Sequence, residues 1–135
     1  VIGMLRGERA GAVPLVMRVD VVDPVRPVVT VGGDLDFQTS GSLRAELARL
    51  LDGGAAARVT LDVAGLRFID STGLAVIVHA WRVGHESGTA FDLRGTPPFL
   101  ATILEVTGVG ELLARPAARP DTAWGAADAT WETTG

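Results

Sequence analysis

The chain has 135 residues, no cysteine, a net charge of −4 and a mean hydropathy of +0.32. That length supports one domain with tails. The missing cysteines remove disulfides, thiolate metal sites and cysteine nucleophiles, and an acidic balance without a basic stripe argues against binding nucleic acid through its phosphates. Although 47% of the residues are apolar, no apolar run approaches the roughly 18 residues of a membrane span. The opening lacks the charged and then apolar pattern of a secretory signal. A cytoplasmic, membrane-free protein is expected.

Residues 1–14 carry Gly3, Gly7, Gly11 and Pro14 without a sustained period and are expected to form a flexible leader. Leu15 to Val21 alternates well enough for a first strand. Asp23-Pro24-Val25-Arg26-Pro27 is a turn, because proline cannot donate to a ladder. The β-branched run Val28 to Val31 is the second strand, expected to end at Gly32-Gly33. Asp34-Leu35-Asp36 then forms an acidic shelf, and Asp36 or Thr39 can cap a helix whose apolar face is Leu43, Leu47, Leu50 and Leu51. Asp52-Gly53-Gly54 stops that helix.

Val59 to Val63 alternates as a third strand, and Phe68-Ile69-Asp70-Ser71-Thr72-Gly73-Leu74 follows. Leu74, Ile77, Val78 and Trp81 fall at i, i+3, i+4 and i+7, one face of a helix. Thr89 to Leu93 is a fourth strand. Thr96 is expected to cap a further helix with Pro97 at its first position, Phe99, Leu100, Ile103 and Leu104 on its buried face, and Gly108 at its end. Glu111-Leu112-Leu113 is at most a short final strand. From Arg115 the pattern dissolves into a tail, disordered or loosely docked through Trp124 and Trp131.

Strands separated by short helices imply an α/β sheet with right-handed crossovers. If the second and third strands are neighbours, Asp34, Asp36 and residues 70–72 share the rim where parallel strands end. At that rim Asp70, Ser71 and Thr72 open a helix, where free amides and the helix dipole favour an anion. Two readings follow from residue chemistry: Asp70-Ser71-Thr72 is only a helix cap, or Ser71 is a modification site whose phosphate adds about −1.5 to −2 charges.

Asp70-Ser71-Thr72-Gly73-Leu74 resembles the Asp-Ser-Ser/Thr-Gly-Leu motif of the STAS domain, found in bacterial anti-anti-sigma factors. Gly33-Asp34-Leu35-Asp36-Phe37-Gln38-Thr39 is similar to the segment that leads into that family's first helix, and Leu104 to Val109 to the one that closes its third. The resemblance covers residues 15–114 and implies a mixed sheet of four to five strands with helices mainly on one face. It also implies an anti-sigma factor antagonist. The unphosphorylated form would bind an anti-sigma factor with serine kinase activity and free the sigma factor. Phosphorylation on Ser71, with Thr72 the alternative acceptor, would end binding, and a PP2C-type phosphatase would restore it. Asp34, Asp36, Asp70, Ser71, Thr72 and Gly73 are the expected partner-binding positions. Ser40-Gly41-Ser42 departs from the family's usual run, so first-helix contacts are expected to differ.

Other classes have less support. The alternative within the same family is a ligand- or nucleotide-sensing or scaffold module without phosphorylation, in which the Gly33 loop and helix start hold an anion; the chain has no P-loop sequence. As a catalytic pair, Asp34-x-Asp36 resembles the haloacid-dehalogenase phosphatase motif, but Gln38 stands where that motif has Thr or Val and the chain has no lysine for its phosphate clamp. His79 and His85 lie six apart, on different helical faces, and have no partner at metal-ligand spacing. No enzyme activity, metal or cofactor is expected.

Overall fold

The computed structural model describes residues 13–115. Four strands lie in the order β1 (Val16–Asp20), β2 (Val28–Leu35), β3 (Arg58–Ile69) and β4 (Ala90–Arg94). β1 pairs antiparallel with β2, and β2–β3 and β3–β4 are parallel, so the sheet is mixed. The parallel crossovers carry α1 (Ser40–Leu51), continued by a 3₁₀ turn at Asp52–Gly54, and α2 (Ser71–Ser87); α3 (Pro98–Thr107) and α4 (Val109–Leu113) follow β4.

Alternation explains why the helices cover one face. Val29 and Val31 on β2 and Val59, Leu61 and Val63 on β3 point into the core. They meet Leu43, Leu47 and Leu51 of α1, Ile77 of α2 and Leu100 of α3 in one cluster. Their neighbours in sequence point to a helix-free face, where β3 and β4 are joined by the ion pairs Arg58–Asp92 and Arg94–Asp62.

Several expectations are corrected. β2 does not stop at the glycine pair but runs to Leu35, with register shifts against β3 at Thr30/Gly32 and Gly33/Asp34. Gly33 takes φ +93°, and a Cβ there would lie 2.2 Å from the Pro14 carbonyl oxygen, so this close crossing needs glycine. β3 likewise continues beyond Val63, because Ala64 and Gly65 interrupt its burial alternation without ending its pairing.

The buried face of α2 is rotated from the expected one. Gly73, Val76, Ile77, Ala80 and Gly84 face the core; Leu74 and Trp81 flank it and Val78 turns outward. Small residues let the helix sit close to the sheet, so that the larger ones are displaced to its sides. α3 is capped by Pro97, with Pro98 at the first helical position, one residue later than expected and without the Thr96 hydroxyl. Residues 111–113 end a short helix, not a strand. Val13 and Pro14 of the expected leader are held against β2. Residues 1–12 and the tail from 116, with Trp124 and Trp131, lie outside the described residues.

Candidate functional site

β2 and β3 end side by side, with Asp34 opposite Phe68 and Leu35 opposite Ile69. The loops leaving them therefore meet at one rim, and the Asp70 amide donates to the Leu35 carbonyl at 3.2 Å. Asp70 caps α2: Oδ1 accepts from the Gly73 amide at 2.9 Å. Its other oxygen, Oδ2, accepts from the Phe37 amide at 3.1 Å, in the loop after β2. One carboxylate, 7% exposed, thus ties two loops together.

Gly73 completes this junction. A Cβ on it would lie 2.7 Å from the Leu35 carbonyl oxygen and 2.9 Å from Ile69 Cγ1, so the helix start approaches the strand ends as closely as backbone allows.

The acidic shelf is turned inward. Asp36, 2% exposed, accepts through Oδ1 from the Gln38 and Thr39 amides at 2.9 and 3.1 Å. The Thr39 hydroxyl accepts from the Asp36 amide at 2.9 Å and donates to the Asp34 carbonyl at 2.9 Å. Thr39 is the N-cap residue of α1, yet its side chain makes no cap bond; it closes the preceding turn instead. Asp34, 1% exposed, accepts through Oδ2 from the Val13 amide at 2.8 Å. The carboxylates of the acidic shelf, expected to bind a partner, are therefore committed to backbone amides.

What remains at the surface is a smaller set. Ser71 and Thr72 are exposed at the first two positions of α2, and among the described residues no hydrogen bond takes the Ser71 hydroxyl. Phe37, whose amide is bonded to Asp70, is 61% exposed, and Gln38 after it is exposed as well. Of the six expected partner-binding residues, then, Asp34, Asp36, Asp70 and Gly73 are buried supports and Ser71 and Thr72 are presented. Phe37 escaped the sequence reading as a surface position, because a lone large apolar side chain in a sequence reads as core.

On the outer side of α2 a groove of about 480 Å³ runs from Ser71 past Leu74, Val78 and His79 to Arg82, with Arg44 of α1 on its other wall. His85 stacks on Trp81 with ring centroids 4.7 Å apart. Among the described residues no three His, Asp or Glu side chains are placed to hold a metal ion, and no helix is long and apolar enough to cross a membrane.

A mixed four-stranded sheet, helices on one face and a capped strand–loop–helix at the rim define an α/β domain of the STAS type. The chain belongs to the STAS domain family: the family model described as "Mlab, STAS domain" matches residues 20–114. A relative from Bacillus subtilis (strain 168), the anti-sigma-B factor antagonist, is 29% identical over 85 residues, covering 63% of this chain and 76% of that protein. The fold is similar to that of the anti-sigma factor antagonist SpoIIAA in its unphosphorylated form, with TM-score 0.62 and 18% identity over 71% of this chain and 84% of that one. The phosphorylated form of the Bacillus protein matches equally well, with TM-score 0.60 and 18% identity over 71% and 86% of the two chains.

Proposed function

We propose that the protein is a cytoplasmic anti-sigma factor antagonist controlled at Ser71. Its unphosphorylated form binds an anti-sigma factor with serine kinase activity and frees the sigma factor. Phosphorylation of Ser71 ends that binding, and a PP2C-type phosphatase restores it. In this role the protein undergoes chemistry rather than performing it. The observation that carries the reading is the contrast between neighbours: Asp70 is buried and bonded to two loops, while Ser71 is exposed with its hydroxyl uncommitted among the described residues. The relative's name, anti-sigma-B factor antagonist, supports the choice of partner.

Kinase-catalysed transfer moves the γ-phosphoryl group of ATP to Ser71 Oγ and releases the hydroxyl proton and ADP. The product carries about −1.5 to −2 charges at the start of a 17-residue helix. In the free protein the helix dipole and solvent both stabilise that charge. In a docked surface the phosphate must lose water, and Asp34, Asp36 and Asp70 add negative charge around it. Every 1.4 kcal/mol lost is about a tenfold weaker complex, so a few kcal/mol suffice.

The test uses wild type, Ser71→Ala and Ser71→Asp as baits in lysate of the native host, with and without ATP, followed by phosphopeptide mapping. An anti-sigma kinase should come down with wild type and Ser71→Ala but not Ser71→Asp, with phosphate on Ser71. The melting temperatures of the three baits should agree within a few degrees, because Ser71 is exposed. Equal capture by all three, with Ser71 unmodified, would sink the switch and leave the motif a helix cap.

A further inference from the structure

We propose that the groove between α1 and α2 seats an acidic, amphipathic helical segment of the protein partner; this rests on the partner-binding role assigned above. Three observations carry it. Leu74 and Val78, one helical turn apart and half-buried, give the groove an apolar floor with Ala75 between them. Arg44 and Arg82, both exposed, stand along it, with His79 beside Val78. Neither arginine makes an ion pair among the described residues, as is also true of Arg18, Arg67 and Arg115, but Arg44 and Arg82 share one groove. In a chain of net charge −4, two free guanidinium groups on one apolar groove form a local inversion of sign.

Length narrows the occupant further. From Ser71 to Arg82 the groove follows about 16 Å of helix at 1.5 Å per residue. That length suits roughly three turns of a partner helix laid in the groove, with an apolar stripe on Leu74 and Val78 and carboxylates toward the arginines. A basic or uncharged helix would leave both guanidinium groups without partners under a docked surface.

The occupant's charge also gives the switch its direction. Ser71 stands at one end of this groove. A phosphate there meets carboxylates of the incoming segment as like charge. The same modification would strengthen the docking of a basic segment.

Binding is tested by titrating ¹⁵N-labelled protein with a synthetic helical peptide of about 14 residues, leucine at i, i+4 and i+7 and glutamate on both flanks. A second peptide carries lysine for every glutamate. The acidic peptide should shift the amides of Leu74, Ala75, Val78 and His79, bind at least tenfold more tightly than the basic one, and weaken as salt rises. The double variant Arg44→Glu, Arg82→Glu should keep a dispersed, folded spectrum and lose affinity for the acidic peptide at least tenfold. Shifts elsewhere, no binding, equal response to both peptides, or indifference to the double variant overturns the proposal. The Ser71 pull-down is read separately. Peptide binding beside a flat Ser71 series removes the switch and keeps the groove, and a graded Ser71 series beside a silent peptide removes the groove alone.

Discussion

Gly73→Ala separates helix propensity from packing at the heart of the motif. Inside a helix, alanine is favoured over glycine by about 0.8–1.0 kcal/mol, so propensity alone makes the variant more stable. The structure reverses that sign. The new methyl would lie 2.7 Å from the Leu35 carbonyl oxygen, 2.8 Å from Leu35 Cγ and 2.9 Å from Ile69 Cγ1, all nearer than the 3.0 Å that real Cβ atoms respect. Two of these atoms belong to core side chains and the third to a strand backbone, so relief requires the helix start to lift. Overpacking of this kind costs about 1–3 kcal/mol. Allowing for the propensity gain, the net loss is about 0–2 kcal/mol, a fall in melting temperature of up to roughly 15 °C for a domain of this size.

Gly41→Ala provides the comparison, since Gly41 also lies in a helix and a Cβ there meets nothing within 4 Å. It should gain a few tenths to about 1 kcal/mol. Urea and thermal unfolding of both variants measure the difference. If Gly73→Ala is as stable as Gly41→Ala, the close approach of α2 to the ends of β2 and β3 is wrong, and with it the account of why glycine follows the two hydroxyl residues.

Asp70→Ala should cost about 2 kcal/mol, from loss of the cap and of the Phe37 bond; amide exchange should quicken at both Gly73 and Phe37, whereas Asp70→Asn can satisfy only one of the two. Unchanged exchange at Phe37 in Asp70→Ala would show that the loops are not tied through this carboxylate. The pH dependence turns on Asp62, whose carboxyl is held below the usual carboxylate range by the Ala64 amide first and by Arg94, against an opposing push from burial. A folded pKa below the unfolded value of about 3.9 means stability that is present above that value and lost as pH falls through the folded pKa. Urea midpoints for wild type should therefore fall more steeply below about pH 4 than those for Asp62→Asn; parallel curves would refute the assignment.

Much of this was legible in the sequence because local and global signals agree. The alternation of Val59 to Val63 and the leucine spacing of α1 give the sheet and its first crossover directly. So does Asp70 as a cap with Ser71 beside it. The misreadings share a cause. Gly32-Gly33 and Ala64-Gly65 look like strand ends, yet Gly32 pairs with Gly65 across β2 and β3, and two strands that bulge together need small residues on both. On α2 the largest apolar residues marked the wrong stripe, because Gly73, Ala80 and Gly84 carry no hydrophobic signal while deciding which face reaches the sheet. Burial of Asp34 and Asp36 was invisible for another reason. Carboxylates read as surface groups unless the backbone amides that receive them are known, and here Val13, Gln38 and Thr39 supply those amides.

That inward turn changes what the rim can do. A switch built on exposed carboxylates would already be screened by water and salt, and one more charge would be a small step. Here the nearest carboxylates are bound to amides, which fixes the loops and leaves uncharged Ser71, Thr72, Phe37 and Gln38 exposed. Phe37 is 61% exposed, and its backbone amide is bonded to Asp70, the residue adjoining Ser71. The Ser71 hydroxyl is thus held on the same junction as Phe37, so in the proposed switch a phosphate on it would act at this rim without any rearrangement of the fold. In the proposed switch the scaffold's work falls to Asp70 and Gly73 and the regulation to Ser71, and their adjacency couples one to the other.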